Sequence, residues 1–151
     1  MIKPYLGYPR LSASMWGFGA ETSLHALRLI CSGLFDELPK VRIILGHLGE
    51  TIPCMLQRID TRWGANVGPL KIRKRPGEYF KQNFVVSTSG MTSPEALTMT
   101  LAVLGADSVM FATDYPMESS VEAVACLDAA PVADAIKEKI YCLNAERIFA
   151  F

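Results

Sequence analysis

The chain has 151 residues, 50% hydrophobic and 20% charged, with 15 basic residues balanced by 15 acidic ones. That length suits one domain burying roughly 70% of its unfolded surface, and it falls short of the about 200 residues that a complete eightfold β/α barrel needs. Zero net charge argues against a nucleic-acid or anionic-membrane partner, both of which need a concentrated basic face, and no apolar run approaches the roughly 18 residues of a membrane span.

The opening Met1–Tyr5 lacks the long apolar core of a signal peptide. Cys31, Cys54, Cys126 and Cys142 form no close pair and read as reduced thiols, so a cytoplasmic location is expected. Residues 1–19, rich in Pro, Gly and aromatic residues, read as an ordered loop. Leu24, Leu27, Cys31 and Leu34 recur at helical spacing and predict an amphipathic helix over 21–35, stopped before Pro39. His25, between Leu24 and Leu27, reads as structural.

Val41–Leu45 is short, apolar and bounded by Pro39 and Gly46, which predicts a buried strand. Beyond Gly46–Glu50, Pro53 marks the first turn of a helix whose apolar face is Ile52, Met55, Leu56, Ile59 and Trp63. Residues 64–76 read as loop, and the basic run Lys71, Arg73, Lys74 and Arg75 as a solvated surface. A short helix is expected over 78–83. Phe84–Thr88 is the second predicted strand. Ser93 and Pro94 then start a helix with Leu97, Leu101 and Leu104 as its buried stripe and Gly105 as its C-terminal cap. Ser108–Ala112 is the third predicted strand. Helical patterns follow at Val121/Val124/Ala125 and Val132/Ile136/Ile140, and Asn144 is expected to cap a last helix carrying Ile148 and Phe149.

Helices alternating with nearly continuous apolar strands predict an α/β fold with a parallel sheet and right-handed crossovers. Ligands in such sheets bind outside the carboxyl ends of the strands. His47 follows the first strand, Ser87, Thr88 and Ser89 end the second, and Asp114 follows the third, so the pattern places all of them on one rim. A carboxylate three residues after an imidazole can orient it, which pairs Glu50 with His47. Arg58, two helical turns beyond Glu50, is placed to pair with that carboxylate. As isolated residues, His47 also reads as a loop histidine, Glu50 as a helix-start carboxylate and Asp114 as a turn residue. With two histidines and no His-x-His, His-Glu-x-x-His or Cys-x-x-Cys, spacing alone argues against a self-sufficient metal centre.

The ordered set Trp16–Gly19 through Leu34–Phe35, Ile43–Glu50, Arg58–Asp60, Thr88–Gly90, Ala112–Pro116 and Asn144–Phe149 resembles the amidohydrolase-2 family, and within it the metal-dependent decarboxylases of dihydroxybenzoates and other ortho-hydroxybenzoates. The resemblance implies that residues 1–151 form one partial TIM-barrel domain, the C-terminal half of a (β/α)8 barrel comprising helix 5 and units 6 to 8. It implies one divalent metal, zinc or manganese, in the complete barrel and a small aromatic carboxylic acid as substrate. It assigns catalytic roles to His47, Glu50, Arg58 and Asp114, with Arg58 supporting Glu50, and makes Asp114 the metal ligand. The family's other metal ligands come from strands one and five, which have no counterpart here. The isolated chain is therefore expected to be inactive and to bind no metal tightly. A non-catalytic remnant and a hydrolase of the same superfamily stand as alternatives. Two open sheet edges predict a homo-oligomer or an association with a missing N-terminal half.

Overall fold

The computed structural model describes residues 5–64 and 72–150. The opening residues 1–4 and much of the expected 64–76 loop, with Lys71 of its basic run, lie outside the described residues. Three strands, β1 (Ile43–Leu45), β2 (Phe84–Ser87) and β3 (Val109–Met110), form one parallel sheet in the order β1-β2-β3. The register pairs Ile43 with Phe84, Leu45 with Val86, and Val86 with Val109. All four residues of β2 are buried, as befits the centre of a sheet covered on both faces.

Around the sheet lie α1 (Gly17–Cys31), α2 (Leu34–Glu37), α3 (Ile52–Trp63), α4 (Pro76–Asn83), α5 (Pro94–Leu104), α6 (Ser120–Ala129), α7 (Asp134–Glu138) and α8 (Asn144–Phe149), the last two joined by a π-helical turn over Lys139–Leu143. Local signals for α3 and α5 hold. Pro53 sits in the first turn of α3. At α5 the Ser93 hydroxyl accepts from the Ala96 N–H at 3.2 Å, and Gly105 closes the helix at φ +82°. The core joins Phe35, Phe80 and Phe84 to Ile30, Leu56, Val86, Val109 and Ile140. Phe80 and Phe84 stack at 4.8 Å between ring centroids.

Several sequence expectations are corrected. The helix expected over 21–35 begins at Gly17 and breaks at Gly33, whose φ of +86° suits glycine and starts a separate short helix. Its buried side is Ala26 and Ile30, not Leu24 and Cys31, so Leu24 and His25 face outward. β1 is shorter than expected: Val41 and Arg42 precede it, and Ile44 is 44% exposed, so this strand is covered on one side only. β3 ends at Met110: Ala112, the next residue to face β2, donates its N–H to the Thr88 hydroxyl rather than to a backbone carbonyl, while on the opposite edge the Phe111 N–H donates to the Ile140 carbonyl at 2.7 Å. The π-helical turn thereby covers the β3 side that was expected to be open. Val121 and Val124, expected to mark a buried helical stripe, are exposed, and α6 buries Leu127 instead.

Asn144 begins α8 but does not cap it. Its buried amide donates to the Ala106 and Val109 carbonyls at 2.7 and 2.8 Å, tying the last helix to β3. Asn83 does the same for β1, donating to the Pro39 and Val41 carbonyls. In the described part of the basic run Arg73, Lys74 and Arg75 are exposed, as expected of a solvated surface, and the backbone beneath is anchored: the main-chain N–H groups of Arg73 and Lys74 donate to the Tyr79 hydroxyl.

Tyr141 packs against Phe111 and donates its hydroxyl to Asp128 at 2.8 Å. Desolvation, helped by the Asp128 hydrogen bond and charge, pushes its phenol up to about 12. The folded state therefore holds this proton where the unfolded chain, with a phenol near 10, has released it. Its contribution to stability is complete below about pH 10 and is lost as pH rises towards 12. Urea titrations at pH 9 and 11.5 are expected to show a larger alkaline loss of stability in the parent chain than in Tyr141→Phe; equal losses would refute this.

Candidate active site

The three strands point their carboxyl ends at one rim, and the residues that follow them converge there. After Leu45 the chain runs through Gly46 into the short turn His47–Gly49. His47, Leu48 and Glu50 take φ values of +50°, +53° and +57°. Asp114, beyond β3, has φ +68°. Left-handed backbone at non-glycine residues costs of order 1–3 kcal/mol each. Of five such residues among those described, four lie in these two segments. Strain collected at one place is what a site held for chemistry would show.

The side chains explain why these segments are held so. The imidazole Nδ1 of His47 lies 2.9 Å from Glu50 Oε1. An ionised carboxylate only accepts, so Nδ1 carries the proton and Nε2 is turned the other way. Nε2 faces Asp114 Oδ2 at 3.5 Å, beyond an ordinary hydrogen bond. The Glu50 side chain is 10% exposed, against 38% for His47 and 37% for Asp114. The orienting carboxylate is therefore sheltered, while the two facing groups are accessible from the rim.

The end of β2 supplies the floor. The His47 N–H donates to the Ser89 hydroxyl at 3.3 Å, and Ser87 and Ser89 are hydrogen-bonded at 3.0 Å. The Thr88 hydroxyl both donates to the Ala112 carbonyl and accepts from its N–H, at 2.9 and 3.0 Å. That double bond pattern locks the segment leading to Asp114. The Met117 and Glu118 N–H groups then close on the Asp114 carbonyl.

Gly90 lies beneath the pair. At φ +65°, its absent Cβ would stand 2.7 Å from His47 Cδ2 and 3.2 Å from Asp114 Oδ2. Only glycine fits that floor. Sequence reasoning placed Ser87, Thr88 and Ser89 at this rim but gave Gly90 no role, because nothing local marks a glycine that makes room for residues more than 20 positions away. Asp60 was likewise missed: it accepts from the Gly77 N–H at 2.7 Å and secures the start of α4.

The structure thus brings His47, Glu50 and Asp114 together. It does not bring Arg58 to them. Arg58 is exposed on α3, and among the described residues it pairs with no carboxylate: Glu50 and Asp114 have His47 beside them, and the Lys–carboxylate ion pair is Lys139–Asp107. The expected pairing of Arg58 with Glu50 is absent from this arrangement.

Among the described residues no three His, Cys, Asp or Glu side chains are gathered so as to hold a metal ion. Asp114 is an accessible carboxylate, but the donors around it number fewer than the about three that a catalytic metal takes from its protein. No described helix is long and apolar enough to cross a membrane.

A family model described as amidohydrolase matches residues 4–151. The gamma-resorcylate decarboxylase of Rhodococcus jostii is 45% identical over 147 residues, covering 96% of this chain and 45% of that protein. A crystal structure of 2,6-dihydroxybenzoate decarboxylase complexed with 2,6-dihydroxybenzoate superposes with a TM-score of 0.94 at 40% identity, over 99% of this chain and 47% of that one. The dihydroxybenzoic acid decarboxylase of Polaromonas sp. JS666, solved with manganese and the inhibitor 2-nitroresorcinol, gives a TM-score of 0.93 at 36% identity, over 98% of this chain and 45% of that one. The chain therefore spans less than half the length of these relatives.

Proposed function

The chain belongs to the amidohydrolase family, and on that premise we propose that it supplies the C-terminal half of a TIM-barrel decarboxylase that removes CO2 from an ortho-hydroxybenzoate. The observation that carries this reading is the rim geometry. An imidazole fixed by Glu50 turns Nε2 toward Asp114, and both groups are open to a ligand above the sheet.

In this mechanism Asp114 holds the proton that is delivered to the ring carbon bearing the substrate carboxylate. The C–C bond then breaks, CO2 leaves, and its bonding electrons restore the aromatic ring. His47, whose Nε2 lies 3.5 Å from the emptied carboxylate, is placed to take up a proton from solvent at Nε2 and pass it to Asp114, and Glu50 keeps the ring oriented throughout. Gly90 keeps the gap between the two clear. A divalent ion, zinc or manganese, would polarise the substrate carboxylate and ortho hydroxyl. The donors described here do not suffice for it, so Asp114 would be one ligand among several and the others would come from outside this chain.

The test is reconstitution. This chain, co-expressed with the N-terminal half of a matched relative and supplied with Mn2+, is expected to consume 2,6-dihydroxybenzoate. Asp114→Asn in the same assembly should lower kcat by about 10²–10⁴-fold, the range typical of a general acid. A folded, metal-loaded assembly that releases no CO2, or one indifferent to Asp114→Asn, would sink the proposal. It would leave the hydrolase or the non-catalytic remnant standing.

A further inference from the structure

Two glycines near the start of α1 have different surroundings. A Cβ on Gly17 would lie 2.7 Å from the Ser12 backbone, so Gly17 serves the close approach of the preceding turn. A Cβ on Gly19 would meet only Glu50 among the described residues, with Oε2 at 2.8 Å and Cδ at 3.7 Å. Residue 19 lies inside the helix, and no turn or left-handed backbone there calls for glycine. Glycine weakens a helix relative to alanine, and the space left for the Glu50 carboxylate is what the structure offers in return.

That carboxylate is the one that fixes His47. Its Oε1 lies on Nδ1 at 2.9 Å while Oε2 fills the space beside Gly19. The two oxygens belong to one planar group, so whatever displaces Oε2 also displaces Oε1. Glu50 has little room to adjust otherwise: its side chain is nearly buried, and its backbone is held at φ +57°, ψ −130°. The first turn of a helix also favours a carboxylate beside it.

We propose that Gly19 is a positioning residue: the side chain it lacks leaves the space in which Glu50 orients the His47 imidazole, coupling the start of α1 to the site on the rim. The proposal rests on the reading of His47 and Glu50 as reaction-site residues, but its test needs no turnover. Gly19→Ala in the 151-residue chain restores helix propensity while pressing on Oε2. The chain has two histidines, and His25 is exposed on α1, so a His25→Gln background leaves one imidazole to follow by 15N NMR.

The Nδ1 and Nε2 resonances of His47 in Gly19→Ala are expected to leave their parent positions and approach those of Glu50→Ala, where the partner is gone. In the Glu50→Ala background, Gly19→Ala should raise Tm by about 2–4 °C, more than it does with Glu50 present. A His47 spectrum unchanged by Gly19→Ala, or a Tm increment independent of Glu50, would overturn the proposal. Inactivity of the reconstituted enzyme would instead count against the functional reading and leave this one intact.

Discussion

After exhaustive dialysis, the 151-residue chain on its own is expected to retain well under one Zn2+ or Mn2+ per chain by mass spectrometry, and to decarboxylate 2,6-dihydroxybenzoate no faster than buffer. The reason is donor count. Catalytic metals are held by about three protein ligands in a fixed geometry, and a structural site takes four. At the rim, Asp114 is the accessible carboxylate, its side chain 37% exposed. Glu50 is turned away, with one oxygen on His47 and the other beside Gly19. His47 presents a single nitrogen, Nε2, to the same space. Two donors at most face one point, and an ion held that weakly exchanges into buffer. Turnover should fail with it, because the substrate would lose the Lewis acid that orients and polarises it. A stoichiometric metal that survives dialysis and disappears in Asp114→Ala would refute this expectation and revive the reading of the isolated chain as an enzyme.

What could be read in advance follows the range of the interactions concerned. Pro53, Ser93 with Pro94, and Gly105 act within one helical turn of themselves, and each appears where its local chemistry places it. The shared rim was legible because parallel strands force their carboxyl ends to one side, which brings His47 and Asp114 to 3.5 Å although 67 positions separate them. Errors arose where a distant partner decides. Asn144 looks like a cap by type, yet its amide is used on Ala106 and Val109, more than 30 residues back. β3 stops at Met110 because the Ala112 N–H, the next to face β2, is taken by the Thr88 side chain, 24 positions back. Gly19 and Gly90 carry no local signature, since what they make room for belongs to other elements. Ile44 and Leu24 have the hydrophobicity of core residues, but no described element covers them. In each case the deciding contact is tertiary, and composition or periodicity within a window cannot contain it.

Expressed by itself, the chain is expected to run as a homo-oligomer or to precipitate, and to become more soluble when an N-terminal half from a relative is co-expressed. β1 pairs on one side only with β2, and among the described residues its other edge has no strand partner. The side chains near that edge are apolar: Val41 and Ile44 are both substantially exposed, and Leu38 stands beside them. Arg42 is the single charge in the 41–45 segment, weak protection for an open edge. Trp16, Phe18 and Leu24, on or just before α1, each leave more than half of their surface in water. An aromatic ring that returns about 100 Å² of apolar surface from water contributes about 2.5 kcal/mol. A few such side chains therefore outweigh the translational and rotational freedom lost on association, estimated at roughly 4–15 kcal/mol, only when the edge and these residues are buried together. The β3 side contributes less, because the Lys139–Leu143 turn already lies against it. Association should accordingly depend on β1: Ile44→Lys, which puts a charge on the exposed face of the edge strand, is expected to shift the population toward monomer in sedimentation velocity. A monodisperse monomer from the parent chain at tens of micromolar, unfolding cooperatively, would show that the exposed surface is tolerated in isolation and would count against the partial-barrel reading.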